Sequence, residues 1–138
     1  YPQHKSVFEQ NLAQLHGQLD ALQSYGESQL ADLSCRELMT FHDGFAYFAD
    51  AFDLTIVESI EEEAGSEASA QELKRLIGVV EDKDLPAIFT EVNGSVSAAN
   101  IIAIHTGTEI FDLDMCMGSI NYFGAMRRNI DTVKEALG

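Results

Sequence analysis

The sequence predicts an α/β protein built on a parallel sheet, and three observations support that prediction. Short apolar runs alternate with helical segments four times from Glu37 onward, an order typical of parallel sheets covered by helices. A long amphipathic segment precedes them, and the length of 138 residues suits one domain with its own core. We therefore expect a three-layer sandwich around a four-stranded parallel sheet, preceded by a long helix.

An apolar stripe predicts the helix at the start of the chain. Its large apolar residues recur at alternating spacings of four and three, which places them on one helical face. These residues are Phe8, Leu12, Leu15, Leu19 and Leu22. We expect the pair Tyr25-Gly26 to end or bend this helix.

Four apolar runs predict the strands, and helical segments separate and follow them. The runs lie at 38–41, 54–57, 87–90 and 110–113. Helices are predicted over 44–52, after Ser69, over 98–104 and from about Asn121. Ser69 and Glu72 have the capping-box spacing that marks a helix start. Gly107 is suited to ending the third of these helices.

Charge and composition limit the kinds of partner. The chain has 8 Lys and Arg against 23 Asp and Glu, a formal net charge of −15. This surplus repels phosphate backbones and anionic lipids, so we expect no nucleic-acid partner and no binding to a membrane surface. The cysteines, Cys35 and Cys116, are too few for a disulfide scaffold and allow one bridge or two free thiols.

Imidazole and carboxylate side chains follow the predicted strands. His42 follows the first strand and Glu91 ends the third. Asp112 and Asp114 stand at the end of the fourth, and an acidic run containing Glu63 follows the second. Ligands of open parallel sheets bind beyond these carboxyl ends, and such side chains suit a divalent metal. The residues alone leave open a plainer interpretation, in which they cap helices or lie in solvated loops.

Two other function classes stay open at this point. A metal-dependent hydrolase would use His42, Glu91 and Asp114 to hold a catalytic ion, but the sequence offers no clear general base or substrate pocket. A regulatory α/β domain would use an acidic pocket, but it also needs a lysine at the end of its last strand, and there is no lysine at the fourth strand here. Glycine-rich nucleotide loops, the Gly-x-Ser-x-Gly elbow and His-Glu-x-x-His are absent from the sequence.

The segment 40–48 is more specific than a generic α/β pattern. Its sequence, Thr-Phe-His-Asp-Gly-Phe-Ala-Tyr-Phe, resembles the His-x-x-Phe-x-Tyr segment of the zinc/manganese solute-binding proteins of ABC importers. In that family the segment opens the C-terminal lobe. Further segments resemble the family's connecting helix, acidic loop, Ile-Phe-x-Glu strand, Val-Tyr-x-Leu-Asp strand and terminal Tyr-x-x-Met-x-x-Asn helix. They lie, in that order, at 2–22, 62–69, 88–91, 110–114 and 122–137.

The resemblance implies a receptor of two α/β lobes joined by a rigid helix, with one metal ion in the cleft. It implies that residues 1–33 are the end of that inter-lobe helix and a linker. Residues 34–138 would then form the C-terminal metal-binding lobe. The N-terminal lobe and its two histidine ligands have no counterpart in this chain, so we expect the chain alone to bind metal weakly.

The same resemblance implies roles for the site residues. His42 and Asp114 take the positions of the two ligands that this lobe supplies, with Asp112 as the alternative to Asp114. Glu91 and Glu63 are implied as further ligands or as supports of the ligands. Histidine at position 42 favours Zn²⁺, with Mn²⁺ as the alternative.

The remaining implications concern partners and location. The family implies no enzyme but a receptor that delivers its metal to the membrane permease of an ABC importer. The receptor would be extracytoplasmic, either in the periplasm or as a lipoprotein anchored at the cell surface. In such a compartment Cys35 and Cys116 could pair with each other.

Overall fold

A four-stranded parallel sheet forms the centre of the fold. The computed structural model describes residues 1–60, 68–92, 96–117 and 121–138. In these residues the strands are β1 Glu37–Thr40, β2 Thr55–Ser59, β3 Ala87–Glu91 and β4 Glu109–Leu113. Their spatial order is β2-β1-β3-β4, and each neighbouring pair is parallel. The predicted α/β class is confirmed, with each strand within two residues of its predicted position.

Helices cover both faces of the sheet. They are α1 Lys5–Gln29, α2 Ala46–Ala51, α3 Ala70–Lys83, α4 Ser97–Thr106 and α5 Tyr122–Leu137, with a short 3₁₀ turn at Pro2–His4 before α1. Leu38 and Phe89 point to the core shared with α1, α2 and α5. Their neighbours Met39 and Ile88 point to the core shared with α3 and α4. The three-layer arrangement predicted from the sequence is therefore present.

Local sequence signals set several helix ends. The Ser69 hydroxyl accepts a hydrogen bond from the backbone N–H of Glu72 at 3.2 Å, which caps α3 as predicted. The Asn121 side chain caps α5 in the same way through the N–H of Gly124 at 3.1 Å. Gly107 ends α4 with a φ of 77°, a left-handed conformation that glycine adopts without strain.

The first helix is longer than predicted because Gly26 is a packing residue. Helix α1 continues to Gln29, and Gly26 is buried within it. A Cβ atom at this position would overlap the ring of Phe52, which follows α2. Of the two predicted alternatives, an end of the helix at Tyr25-Gly26 is therefore wrong. The missing side chain allows α1 and the Phe52 ring to approach each other closely.

The predicted apolar stripe of α1 is mostly exposed. Leu22 is buried, with 7% of its surface accessible, whereas Phe8 and Leu12 are more than half exposed. Leu15 and Leu19 are also exposed. Among the described helices, none combines the length and apolar character needed to cross a membrane.

The strand order creates a crevice between β1 and β3. From the end of β1 the chain passes to α2 on one face of the sheet, and from the end of β3 it passes towards α4 on the other face. Chain segments that leave adjacent strands towards opposite faces open a gap at the sheet edge. Ligands of open α/β sheets bind at such a switch point. The end of β3 and the β1–α2 loop are thus where the fold favours a site.

Replacing Gly26 with alanine should destabilise the protein, because the new methyl group must displace the Phe52 ring. Overpacking costs about 1–3 kcal/mol, whereas the higher helix propensity of alanine returns at most about 1 kcal/mol. Gly17→Ala is the matched control in the same helix, since a Cβ there meets no described atom within 4 Å. Urea unfolding should show a loss of stability for Gly26→Ala and a small gain for Gly17→Ala. Equal gains for both variants would contradict the packing role.

Candidate metal centre

His42 lies in the loop after β1 and pairs with the carboxylate that ends β3. Its Nδ1 is 2.9 Å from Oε1 of Glu91, and the two side chains are 24% and 12% exposed. An ionised carboxylate only accepts hydrogen bonds, so Nδ1 carries a proton, and in a neutral imidazole Nε2 is then the nitrogen with the lone pair. Histidine ligands of metals are commonly oriented in this way by a carboxylate. The His42–Glu91 pair has the same arrangement.

The end of β1 holds His42 in place. The hydroxyl of Thr40, a fully buried residue, donates to the carbonyl oxygen of His42 at 3.0 Å. The buried ring of Phe41 contacts the imidazole edge-on, with ring centroids 4.8 Å apart. Helix α2 begins at Ala46, and Phe45 is its N-cap residue. His42 is therefore not the cap of this helix, so the capping interpretation is wrong for that residue.

Asp114 directly follows β4 and is held mainly by α5. The buried Asn129 bonds the main-chain N–H and C=O of Asp114, each at 2.8 Å. One carboxylate oxygen, Oδ1, accepts from the N–H of Cys116 at 2.7 Å. The other, Oδ2, lies 3.4 Å from Nη2 of Arg128. The Asp114 side chain is 19% exposed and so stays accessible to a small ion.

The loops that carry His42 and Asp114 meet at the same edge of the sheet. A Cβ atom at Gly44, in the loop after β1, would overlap the terminal methyl group of Met115. Gly44, Met115 and Asp114 also line one cavity of about 270 Å³, together with residues of α1, α2 and α5. The contact explains why position 44 has no side chain. It also brings the loop after β1 against the loop after β4.

The remaining predicted residues differ in their surroundings. Asp112 lies within β4, and its carboxylate accepts from the Thr90 hydroxyl on the neighbouring strand at 2.5 Å. Glu63 lies outside the described residues, as does most of the acidic loop around it. Within the described ranges, no three His, Cys, Asp or Glu side chains form a group that could hold a metal ion. Glu91 lies beside His42 as its hydrogen-bond partner.

The two cysteines lie at opposite ends of the sheet. Cys35 precedes β1 and Cys116 follows β4, and five residues of strand span about 16 Å. A disulfide needs Cα atoms within about 7 Å. Both thiols are free, so the hypothesis that they pair is wrong. Burial, followed by the nearby charge of Asp114, raises the pKa of the Cys116 thiol.

Sequence reasoning did not single out two residues that contact Asp114. Asn129 stands where the family's Tyr-x-x-Met-x-x-Asn motif has its asparagine, with Phe123 at the tyrosine position, so a sequence signal was present although it suggested no role. No sequence pattern pointed to Arg128, because its contact with Asp114 joins residues that are 14 positions apart.

The chain is similar in sequence to proteins that are described as binding or taking up metals. The family described as zinc-uptake complex component A, periplasmic, matches residues 1–136. The zinc-binding protein TroA of Treponema pallidum is 30% identical over 146 aligned residues, covering 94% of this chain and 47% of TroA. The manganese-binding lipoprotein MntA of Bacillus subtilis is 26% identical, covering 99% of this chain and 49% of MntA.

Solved structures resemble the chain over its whole length. A crystal structure of ZnuA superposes with a TM-score of 0.88 at 28% identity, covering 99% of this chain and 50% of that one. The structure of the periplasmic zinc-binding protein TroA from Treponema pallidum gives a TM-score of 0.87 at 27% identity, covering 100% of this chain and 55% of the TroA chain. The chain thus spans about half the length of the curated relatives it matches.

Both cysteines should titrate as free thiols. A thiol reagent added in denaturant without reductant should count two thiols per chain. In a folded Cys35→Ser variant, Cys116 is the one remaining thiol, and its alkylation rate can be measured against pH beside a small-molecule thiol. The rate for Cys116 should reach half of its maximum at the higher pH, because the raised pKa of Cys116 keeps the thiol protonated. A count of zero thiols would show that a bridge exists. A midpoint below that of the small thiol would contradict the buried environment.

Proposed function

This chain belongs to the family of periplasmic zinc-uptake complex component A proteins, and from that premise we propose that it is one lobe of a metal receptor. The receptor is extracytoplasmic, in the periplasm or lipid-anchored, and delivers its ion to the permease of an ABC importer. The observation that carries the proposal is the His42–Glu91 pair at the β1–β3 switch point, with Asp114 two strands away at the same edge. Zinc is the proposed cargo, and manganese is the alternative.

In the proposed site, His42 contributes Nε2 and Asp114 contributes a carboxylate oxygen. Glu91 supports the site through its hydrogen bond to the His42 ring. Asp112 is the weaker candidate because it lies within β4 and pairs with Thr90 on the neighbouring strand, whereas Asp114 lies beyond the end of β4. Zinc in proteins takes four nitrogen, oxygen or sulfur ligands, so two positions remain. Side chains of an N-terminal lobe fill these positions in the proposed receptor.

The exposed stripe of α1 supports a second lobe. Phe8, Leu12, Leu15 and Leu19 lie along one helical face and are exposed. Contiguous apolar surface of this kind marks an interaction site in soluble proteins. We propose that residues 1–33 are the end of an inter-lobe helix and a linker, and that the stripe packs against the N-terminal lobe. Residues 34–138 then form the C-terminal metal-binding lobe.

Charge and ligand type favour capture of a cation. The net charge of −15 raises the local concentration of cations and lowers that of polyanions such as nucleic acids. This long-range field does not distinguish one divalent metal from another. The imidazole ligand supplies the selectivity, because borderline ions such as zinc prefer nitrogen more strongly than manganese does.

The same geometry disfavours catalysis. A metal-dependent hydrolase would need Glu91 on the ion or acting as a general base. The Glu91 carboxylate instead accepts a hydrogen bond from the His42 ring. The family's described role is zinc uptake, which requires binding and release without a chemical step.

Zinc titration of two proteins tests the half-site directly. This 138-residue chain should bind zinc weakly because it supplies only two ligands, whereas the full-length receptor should bind one zinc ion tightly. Calorimetry or competition with a chelator measures both affinities. Equal affinities would contradict the proposal that a second lobe completes the site.

The same titration, done in the full-length receptor, tests the ligands. His42→Ala and Asp114→Ala should each weaken zinc binding by more than the roughly 10- to 100-fold that loss of an outer-shell partner costs. Asp112→Ala is the matched control, since it removes a carboxylate two residues away and should leave the affinity nearly unchanged. A large loss for Asp112→Ala with none for Asp114→Ala would reverse the assignment.

A further inference from the structure

Asn129 is a buried amide whose two polar atoms both contact the same residue. Its Oδ1 accepts from the main-chain N–H of Asp114 at 2.8 Å, and its Nδ2 donates to the carbonyl oxygen of Asp114 at 2.8 Å. Asn129 is 2% exposed and lies on a helix face that otherwise buries Ala125, Ile130 and Val133. An amide in such surroundings is costly unless it is hydrogen-bonded. Here the main chain of Asp114 satisfies it.

The amide takes the place of a neighbouring strand. Strand β4 ends at Leu113, whose carbonyl oxygen still accepts from the N–H of Val92 beside β3. One residue later, the N–H and C=O of Asp114 both bond to Asn129 on α5. A side-chain amide has the same donor and acceptor as a peptide group. Asn129 therefore fixes the main chain of Asp114 beyond the end of the strand.

A fixed main chain determines where the Asp114 carboxylate can lie. The contact from the Cys116 N–H to Oδ1, at 2.7 Å, then restricts the side chain itself. Both constraints act on one residue, Asp114. Metal ions tolerate little displacement of their ligands, so a ligand whose main chain shifts loses much of its contribution.

We propose that Asn129 is a positioning residue for metal binding, which sets the Asp114 carboxylate so that it can share one ion with His42. This inference rests on the proposed function, because Asp114 is a ligand only there. Loss of a group that orients a metal ligand typically lowers affinity by roughly 10- to 100-fold. Removal of the Asn129 amide should lower zinc affinity by an amount in that range.

The test compares zinc affinities of variants in the full-length receptor, measured by competition with a chromophoric chelator. Asn129→Ala removes both hydrogen bonds, and Asn129→Asp keeps the acceptor while it loses the donor. Val133→Ala is the matched control, since Val133 is also buried on α5, one helical turn away. Both Asn129 variants should bind zinc roughly 10- to 100-fold more weakly, with Val133→Ala within about twofold of the parent. Similar losses for Asn129→Ala and Val133→Ala would overturn the inference, because general destabilisation would then explain both.

A double-mutant cycle with Asp114→Ala separates a positioning role from a structural one. If Asn129 acts through Asp114, Asn129→Asp should cause no further loss of zinc affinity once Asp114 is alanine. An undiminished loss in that background would overturn the inference. If Asp114→Ala weakens binding and the Asn129 variants do not, the positioning role alone is wrong. If Asp114→Ala has no effect, the ligand assignment and the positioning role fail together.

Discussion

The divergence of the chain at the ends of β1 and β3 is the constraint on which the candidate site depends. The two strands are neighbours at the centre of the sheet, and their residues Leu38, Met39, Ile88 and Phe89 are buried on both faces. Helices therefore cover both sides of this central pair. The chain leaves β1 towards one face and β3 towards the other, so the gap between them cannot be filled by either helix. A small ion is the kind of ligand that such a narrow gap suits.

The electrostatics of the site are consistent with reversible occupation. Arg128 lies near the Asp114 carboxylate at 3.4 Å, but its side chain is 67% exposed. Exposed ion pairs contribute about 0–1 kcal/mol, so a divalent ion can displace the guanidinium at little cost. The His42–Glu91 pair is more shielded, with its two side chains 24% and 12% exposed. The candidate site is therefore largely preformed, since Asn129 and the N–H of Cys116 hold Asp114, and only the weak contact of Arg128 must give way to an ion.

Much of the fold and of the candidate site followed from local sequence patterns. Continuous apolar runs such as 87–90 predict buried parallel strands, and the direction of those strands places His42, Glu91 and Asp114 at one edge. Contacts between distant segments were not predictable in this way. Gly26 resembles a helix end in sequence because nothing nearby reveals the Phe52 ring that covers it. The bond from Asn129 to Asp114 likewise depends on how α5 packs against β4, which periodicity does not encode.

Anomalous diffraction at the zinc absorption edge, from crystals of the zinc-loaded full-length receptor, tests whether His42 and Asp114 share one ion. The account predicts a single peak about 2.0–2.2 Å from both Nε2 of His42 and a carboxylate oxygen of Asp114. Glu91 should remain on Nδ1 of His42, and the other ligands should come from a second lobe. A peak bound through Asp112 or Glu91 in place of Asp114, or one away from the β1–β3 edge, would contradict it.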